Sequence, residues 1–281
     1  MGFGFVAERD GGVSALGLGG SEVTEGLARV GAVAGLLDSS GLYDLERGEK
    51  RAKRGERPMG AYEDAVRTLE VELRGVEQAF RDLSPQQWQT PTKLQPLDDA
   101  QPPWTLFELA GHFDISIGLT VMLMAEPQQG QVGRDRASFF IFPRSEVAPV
   151  VYDYAFKMVE GKTPEQMPDV LHETFTKTTE GARAMAPDTI GPGYYALMRL
   201  DEFVPSRVVE AVVHGLDITD AVGREPIATP EGTALTAAIL DDLLARKTVA
   251  GRPADLADDM AWVRAASGRA EHADPRLPLI G

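Results

Sequence analysis

No cysteine occurs anywhere in the 281 residues. Disulfides are excluded, and any thiol chemistry needs a thiol brought in from outside the chain. Basic residues are also scarce: 28 Lys and Arg stand against 43 Asp and Glu, a formal charge of -15. Such a balance does not suit nucleic-acid phosphates or anionic membrane surfaces as partners, because those need clustered Lys and Arg. The N-terminus, MGFGFVAERDGGVSALGLGG, lacks the cationic start and apolar core of a signal peptide. No run approaches the roughly 18 consecutive apolar residues of a membrane span. The expectation is a soluble cytoplasmic protein, monomeric or homodimeric. Strand signals are few, with no sustained period-two alternation and no hairpin dipeptide between apolar runs. Histidine is down to four residues: His112, His172, His214 and His272.

What the chain has is helical periodicity. Residues 1–58 are set apart, glycine-rich at first and then densely charged in DLERGEKRAKRGERP. This composition predicts disorder, or an extension ahead of a natural start at Met59. From there Tyr62, Val66, Leu69, Leu73, Val76 and Phe80 repeat at three- and four-residue spacing, the apolar stripe of a helix that SPQQW ends. A second helix opens at PPWTLFELAGHFD, where Thr105 and Glu108 have capping-box spacing, and its nearly all-round apolarity makes it central. Residues 127–149 read as a long loop folded back on the body, carrying the cluster Phe139, Phe140, Ile141 and Phe142 against the apolar side of a pocket. Further helices are expected over 168–184, 207–222 with Gly223 as its stop, 229–245 and 253–266. Four substantial helices without a sheet predict an all-α bundle over 59–225, followed by a short helical extension over 226–281.

The fourth helix, RVVEAVVHGLDITDAV, places polar groups in an apolar setting. Arg207, Glu210, His214 and Asp217 fall within roughly 80° of one another at 100° per residue, opposite Val208, Val209, Val212, Val213 and Leu216. A solvated face would also give one polar stripe. Yet Glu210 and His214, four residues apart, project a carboxylate and an imidazole side by side. His112, inside the apolar second helix, is either a satisfied core histidine or a third ligand across the core. Together the three form a His2Glu set, the ligand count of a catalytic zinc site with a fourth position open. His172 reads as a surface residue, His272 as part of the tail, and Trp88 and Trp104 as packing residues.

The succession WQTPT, WTLFELAGHF and RVVEAVVHGLDITDAVG resembles the mycothiol-dependent maleylpyruvate isomerase-like proteins of the DinB-like superfamily. The resemblance covers about Tyr62 to Gly223. It implies a DinB-like four-helix bundle with a divalent metal, usually zinc, held by His112, Glu210 and His214. It further implies that Trp104, Arg207 and Asp217 belong to the same pattern, with Arg207 and Asp217 as contacts to a mycothiol cosubstrate. Three features depart from the family: residues 1–58, a longer link KLQPLDDAQPP before Trp104, and a short tail where maleylpyruvate isomerase carries a further domain. Arginine outnumbers lysine 21 to 7, as in a GC-rich genome, which fits an actinobacterium, where mycothiol is the resident thiol.

A metal there deprotonates an incoming thiol and sets it beside a small electrophilic substrate, as an isomerase or S-transferase requires. Asp217 would accept from a ligand or touch the thiol, and Arg207 would clamp a ligand carboxylate or orient Glu210. Two alternatives stay open: a hydrolase or lyase using metal-bound water, and a non-catalytic metal-dependent small-molecule binding protein. The residues themselves name no catalytic acid or base.

Overall fold

The computed structural model describes residues 59–94, 96, 101–194 and 196–280; the expected N-terminal extension lies outside the described residues. The helices are α1 (Met59–Arg81), α2 (Leu106–Ala125), α3 (Arg144–Val159), α4 (Met167–Ala184), α5 (Leu200–Val222), α6 (Pro230–Lys247) and α7 (Asp259–Ala266). A small antiparallel pair, β1 (Ile190–Pro192) and β2 (Leu197–Arg199), joins α4 to α5, with Gly191 opposite Met198.

The apolar stripe of α1 is buried along its length, and the residues picked out by spacing are those that face inward. Helix α2 begins as its capping box requires: Thr105 Oγ1 accepts from the Phe107 amide at 3.2 Å, and the Glu108 carboxylate accepts from the Thr105 amide at 2.8 Å. Helices α1, α2, α4 and α5 form the bundle, α1 and α2 each packing on both α4 and α5. The chain is all-α in class, as its periodicity requires. Helix α6 packs on α5 and α7 on α6, which builds the C-terminal extension onto one side of the bundle. Among the described residues one helix, α2, is long and apolar enough by length and composition to cross a membrane, although Glu108, His112 and Asp114 interrupt its apolar run. It is the core helix of the bundle and mostly buried there, with His112 and Asp114 among its enclosed residues.

Two expectations on element boundaries are corrected. The loop ends early, because Arg144–Val159 is helical despite Pro149. A proline inside a run weakens the local signal, and packing against α2 restores the helix. Helix α5 starts at Leu200 rather than 207, running through Pro205. Proline removes the amide that would bond the Asp201 carbonyl four residues back, and Arg136 Nη2 donates to that carbonyl instead, at 2.9 Å.

The α2–α3 packing is closest at Gly111, immediately before His112. A Cβ there would stand 2.4 Å from the Ala155 carbonyl and 2.9 Å from Val159 Cγ1, so main chain meets main chain. At Gly118 on the same helix the nearest atom to such a Cβ is Thr174 Cγ2, at 3.6 Å. Alanine normally gains up to about 1 kcal/mol over glycine within a helix. Gly118→Ala should therefore be neutral or stabilising, whereas Gly111→Ala should cost about 1–3 kcal/mol through overpacking. Urea denaturation of the two variants checks this, and equal midpoints would show that α3 is not held as described.

Candidate metal centre

Helix α5 carries Glu210 and His214 one turn apart, and α2 brings His112 to meet them from across the bundle. His112 Nε2 lies 3.1 Å from His214 Nε2 and 3.5 Å from Glu210 Oε2, and His214 Nε2 lies 3.4 Å from the same oxygen. Among the described residues these three form the group able to hold a metal. Tetrahedral bonds of 2.0–2.1 Å to nitrogen and oxygen put neighbouring donors about 3.4 Å apart. The triangle thus fits a divalent ion bound by three protein ligands. The side chains are 10, 14 and 14% exposed, so an external ligand can approach their shared centre.

Each charged group of the stripe has an opposite charge behind it. Glu210 turns Oε2 to the histidines and Oε1 toward Arg207 Nη2, 3.9 Å away. Arg207 is wholly enclosed, its guanidinium over the rings of Phe139, at 4.4 Å, and Phe203, at 4.6 Å, which meet edge to face with centroids 5.8 Å apart. It donates to the Ser116 carbonyl at 2.9 Å and to Ser206 Oγ at 3.1 and 3.2 Å. Burial pushes its pKa down to about 10 against the pull of Glu210, so it remains a cation at neutral pH. Phe139 therefore faces inward, while Ile141 and Phe142 are exposed; the four residues do not form one continuous wall.

His214 Nδ1 donates to Asp217 Oδ2 at 2.8 Å, which fixes the tautomer with its Nε2 lone pair toward the triangle. Asp217 in turn accepts from Arg269, Nε on Oδ1 at 3.0 Å and Nη2 on Oδ2 at 2.6 Å. Arg269 was not legible as part of a site, because it follows a short helix in a tail without helical periodicity. Trp104 is more than a packing residue: its ring lies 5.1 Å from that of His112 and stacks with Tyr152 of α3 at 6.2 Å. The enclosed Trp104 Nε1 and His112 Nδ1 have no hydrogen-bond partner among the described residues. Trp88 stacks on Phe80 within the core, as expected of a packing residue. His172 lies on the surface against Glu77, at 3.1 Å, and His272 pairs with Asp255 at 3.1 Å; neither joins the centre.

Comparison with known families settles the relationship. The mycothiol maleylpyruvate isomerase N-terminal domain matches residues 69–219, just over half of the chain. The chain belongs to this family. No curated protein and no solved structure matches it. The matched span contains all three candidate ligands with Trp104, Arg207 and Asp217, and ends before Arg269. Membership of the family relates this helical bundle to mycothiol and to a divalent metal.

Without a metal, the two imidazoles differ. Burial lowers the pKa of His112, and the Glu210 interaction only partly opposes it. At His214 burial also disfavours the charge, but Asp217 and then Glu210 outweigh it and raise the pKa. Burial works against ionised Glu210 too, yet the two histidines and Arg207 hold its pKa well below the ordinary value. Below the raised pKa of His214, a metal-free centre therefore holds its proton on that residue, with Glu210 ionised and His112 neutral. Metal uptake should release that proton below the raised pKa of His214, and affinity should climb with pH until His214 is neutral. Calorimetry of Zn2+ binding in buffers of different ionisation enthalpy should find proton release that is greatest at acid pH and falls as pH rises through the raised pKa of His214. His112→Ala and His214→Ala should each abolish stoichiometric metal after dialysis. Proton release that does not vary with pH, or full occupancy in both variants, would be incompatible with the site.

Proposed function

We propose that the protein is a metal-dependent enzyme of the mycothiol-dependent isomerase or S-transferase type, with zinc as its metal and a small electrophile as substrate. The observation that carries this reading is the triangle of His112, Glu210 and His214 inside a domain of the mycothiol maleylpyruvate isomerase family. A divalent ion held there supplies a Lewis acid that lowers the pKa of a coordinated thiol toward neutrality. The thiol comes from outside, since the chain has no cysteine of its own.

The protein's own groups make the site favour an anion. Glu210 and Asp217 balance Arg207 and Arg269, so the charge of a divalent ion is left uncompensated in an apolar surround. Low dielectric strengthens its attraction for a negatively charged sulfur. Asp217 has both oxygens engaged by His214 and Arg269, and in this reading it acts on the thiol through the orientation of His214. Arg207 is enclosed, with donors committed to the Ser116 carbonyl and Ser206 Oγ, and it acts through Glu210, beside whose second oxygen it lies. Trp104 walls the site next to His112 and keeps water from that side.

Titrating mycothiol into the zinc-loaded protein by calorimetry should give saturable binding at about one thiol per chain. His214→Ala, treated identically, should bind at least tenfold more weakly, because the loss of one of three ligands removes the metal that receives the thiol. Equal binding to both proteins would exclude thiol capture by the metal. Binding to neither would favour a hydrolase or lyase that activates water.

A further inference from the structure

After α7 the sequence reads Ser267-Gly268-Arg269, and the glycine sets the path of the chain. Gly268 has φ 74°, a left-handed conformation that glycine adopts without strain. The Gly268 amide bonds the Ala265 carbonyl at 3.2 Å, and the Arg269 amide bonds the Arg264 carbonyl at 2.7 Å. These are the two bonds of a Schellman motif. The motif joins Arg264 to Arg269, and both side chains turn to α5. There they meet two aspartates three residues apart. Arg264 forks onto Asp220, at 2.8 and 2.9 Å, and Arg269 forks onto Asp217, at 3.0 and 2.6 Å.

The two pairs have the same chemistry but different neighbours. Asp220 bonds none of the three candidate ligands among the described residues, whereas Asp217 Oδ2 also takes the His214 Nδ1 proton. We infer that Arg269 is a positioning residue of the metal centre. Its fork fixes the plane of the Asp217 carboxylate, so that Oδ2 receives His214 Nδ1–H and His214 Nε2 stays turned to His112 and Glu210. A bidentate guanidinium fixes such a plane; a lysine ammonium, a single point charge, does not. The residue lies in the C-terminal extension, beyond the part that matches the family, so this chain completes its site with a residue from outside the matched domain.

The inference rests on metal binding by the triangle, and the experiment separates the two. Zn2+ affinity of the full chain is measured by competition with a chromophoric chelator, alongside the Co2+ absorption spectrum and the thermal midpoint of the metal-free protein. Arg269→Gln should weaken Zn2+ binding about tenfold or more and alter the Co2+ bands, with Arg269→Lys in between. Arg264→Lys, the matched control, should lower the thermal midpoint comparably but leave affinity within about twofold, because Asp220 orients no ligand. In an Asp217→Asn background Arg269→Gln should have no further effect on affinity, since the arginine acts only through that carboxylate. The step from Asp217→Asn to the double variant never leaves Asp217 as an unpaired buried carboxylate, so a further loss of affinity at that step overturns the inference even if Arg269→Gln alone folds poorly. Unchanged affinity and spectrum in Arg269→Gln, or full additivity in the cycle, would overturn the inference while leaving the metal centre intact. A wild-type chain that takes up no Zn2+ would overturn the metal reading and this inference with it.

Discussion

Three electron-pair donors held within 3.5 Å of one another, each largely buried, form an arrangement that cannot stand alone. Two imidazole nitrogens and a carboxylate oxygen repel at that range, and little water screens them. A proton or a metal ion must share their centre. Much of the surrounding structure follows from this need. Arg207 stands behind Glu210, Asp217 behind His214 and Arg269 behind Asp217, so that each charge has an answering charge. The aromatic rings of Trp104, Phe113, Phe139 and Phe203 exclude water from around them. Positions this polar would otherwise cost several kcal/mol each in a bundle core.

Because the ligands come from two helices, packing and chemistry are a single problem. Glu210 and His214 are fixed relative to each other by one turn of α5, and their distance to His112 is set by how α2 lies against it. Helix α2 is held on its other side by α3, at a place where only glycine fits. Trp104, between His112 and Tyr152, spans the same junction. A shift of α3 is thus transmitted to the wall of the centre and, through α2, to one of its three corners. Helix-borne ligands have less freedom than ligands on loops, which suits a site that must hold donors in mutual repulsion.

The sequence made the bundle legible wherever local pattern and tertiary role agree. The stripe of α1, the capping box of α2 and the polar face of α5 depend on spacings of three and four residues, and they were found at those spacings. The ligands were legible for the same reason: a Glu and a His one turn apart, and a His in an apolar helix. What was missed depends on contacts between distant residues. Helix α3 contains a proline and owes its helicity to packing on α2. The first turns of α5 run through Pro205, because Arg136, far along the chain, satisfies the carbonyl that the proline leaves free. Arg269 lies 52 residues from the carboxylate it holds, and only the αL turn at Gly268 aims it there. The glycine after a helix was a visible stop signal, but a stop signal does not say where the next side chain points.

That separation along the chain has a consequence for assembly. Domains acquire structure from the N-terminus during synthesis, and His112, Glu210 and His214 all emerge before Arg269. A nascent chain therefore owns its full set of donors while the arginine that steadies one of them is still to be made. During that interval Asp217 can already receive the His214 Nδ1 proton, but nothing yet fixes the plane of its carboxylate. Docking of the C-terminal extension supplies that support, so the order of translation is the order in which the donors and then their brace are made.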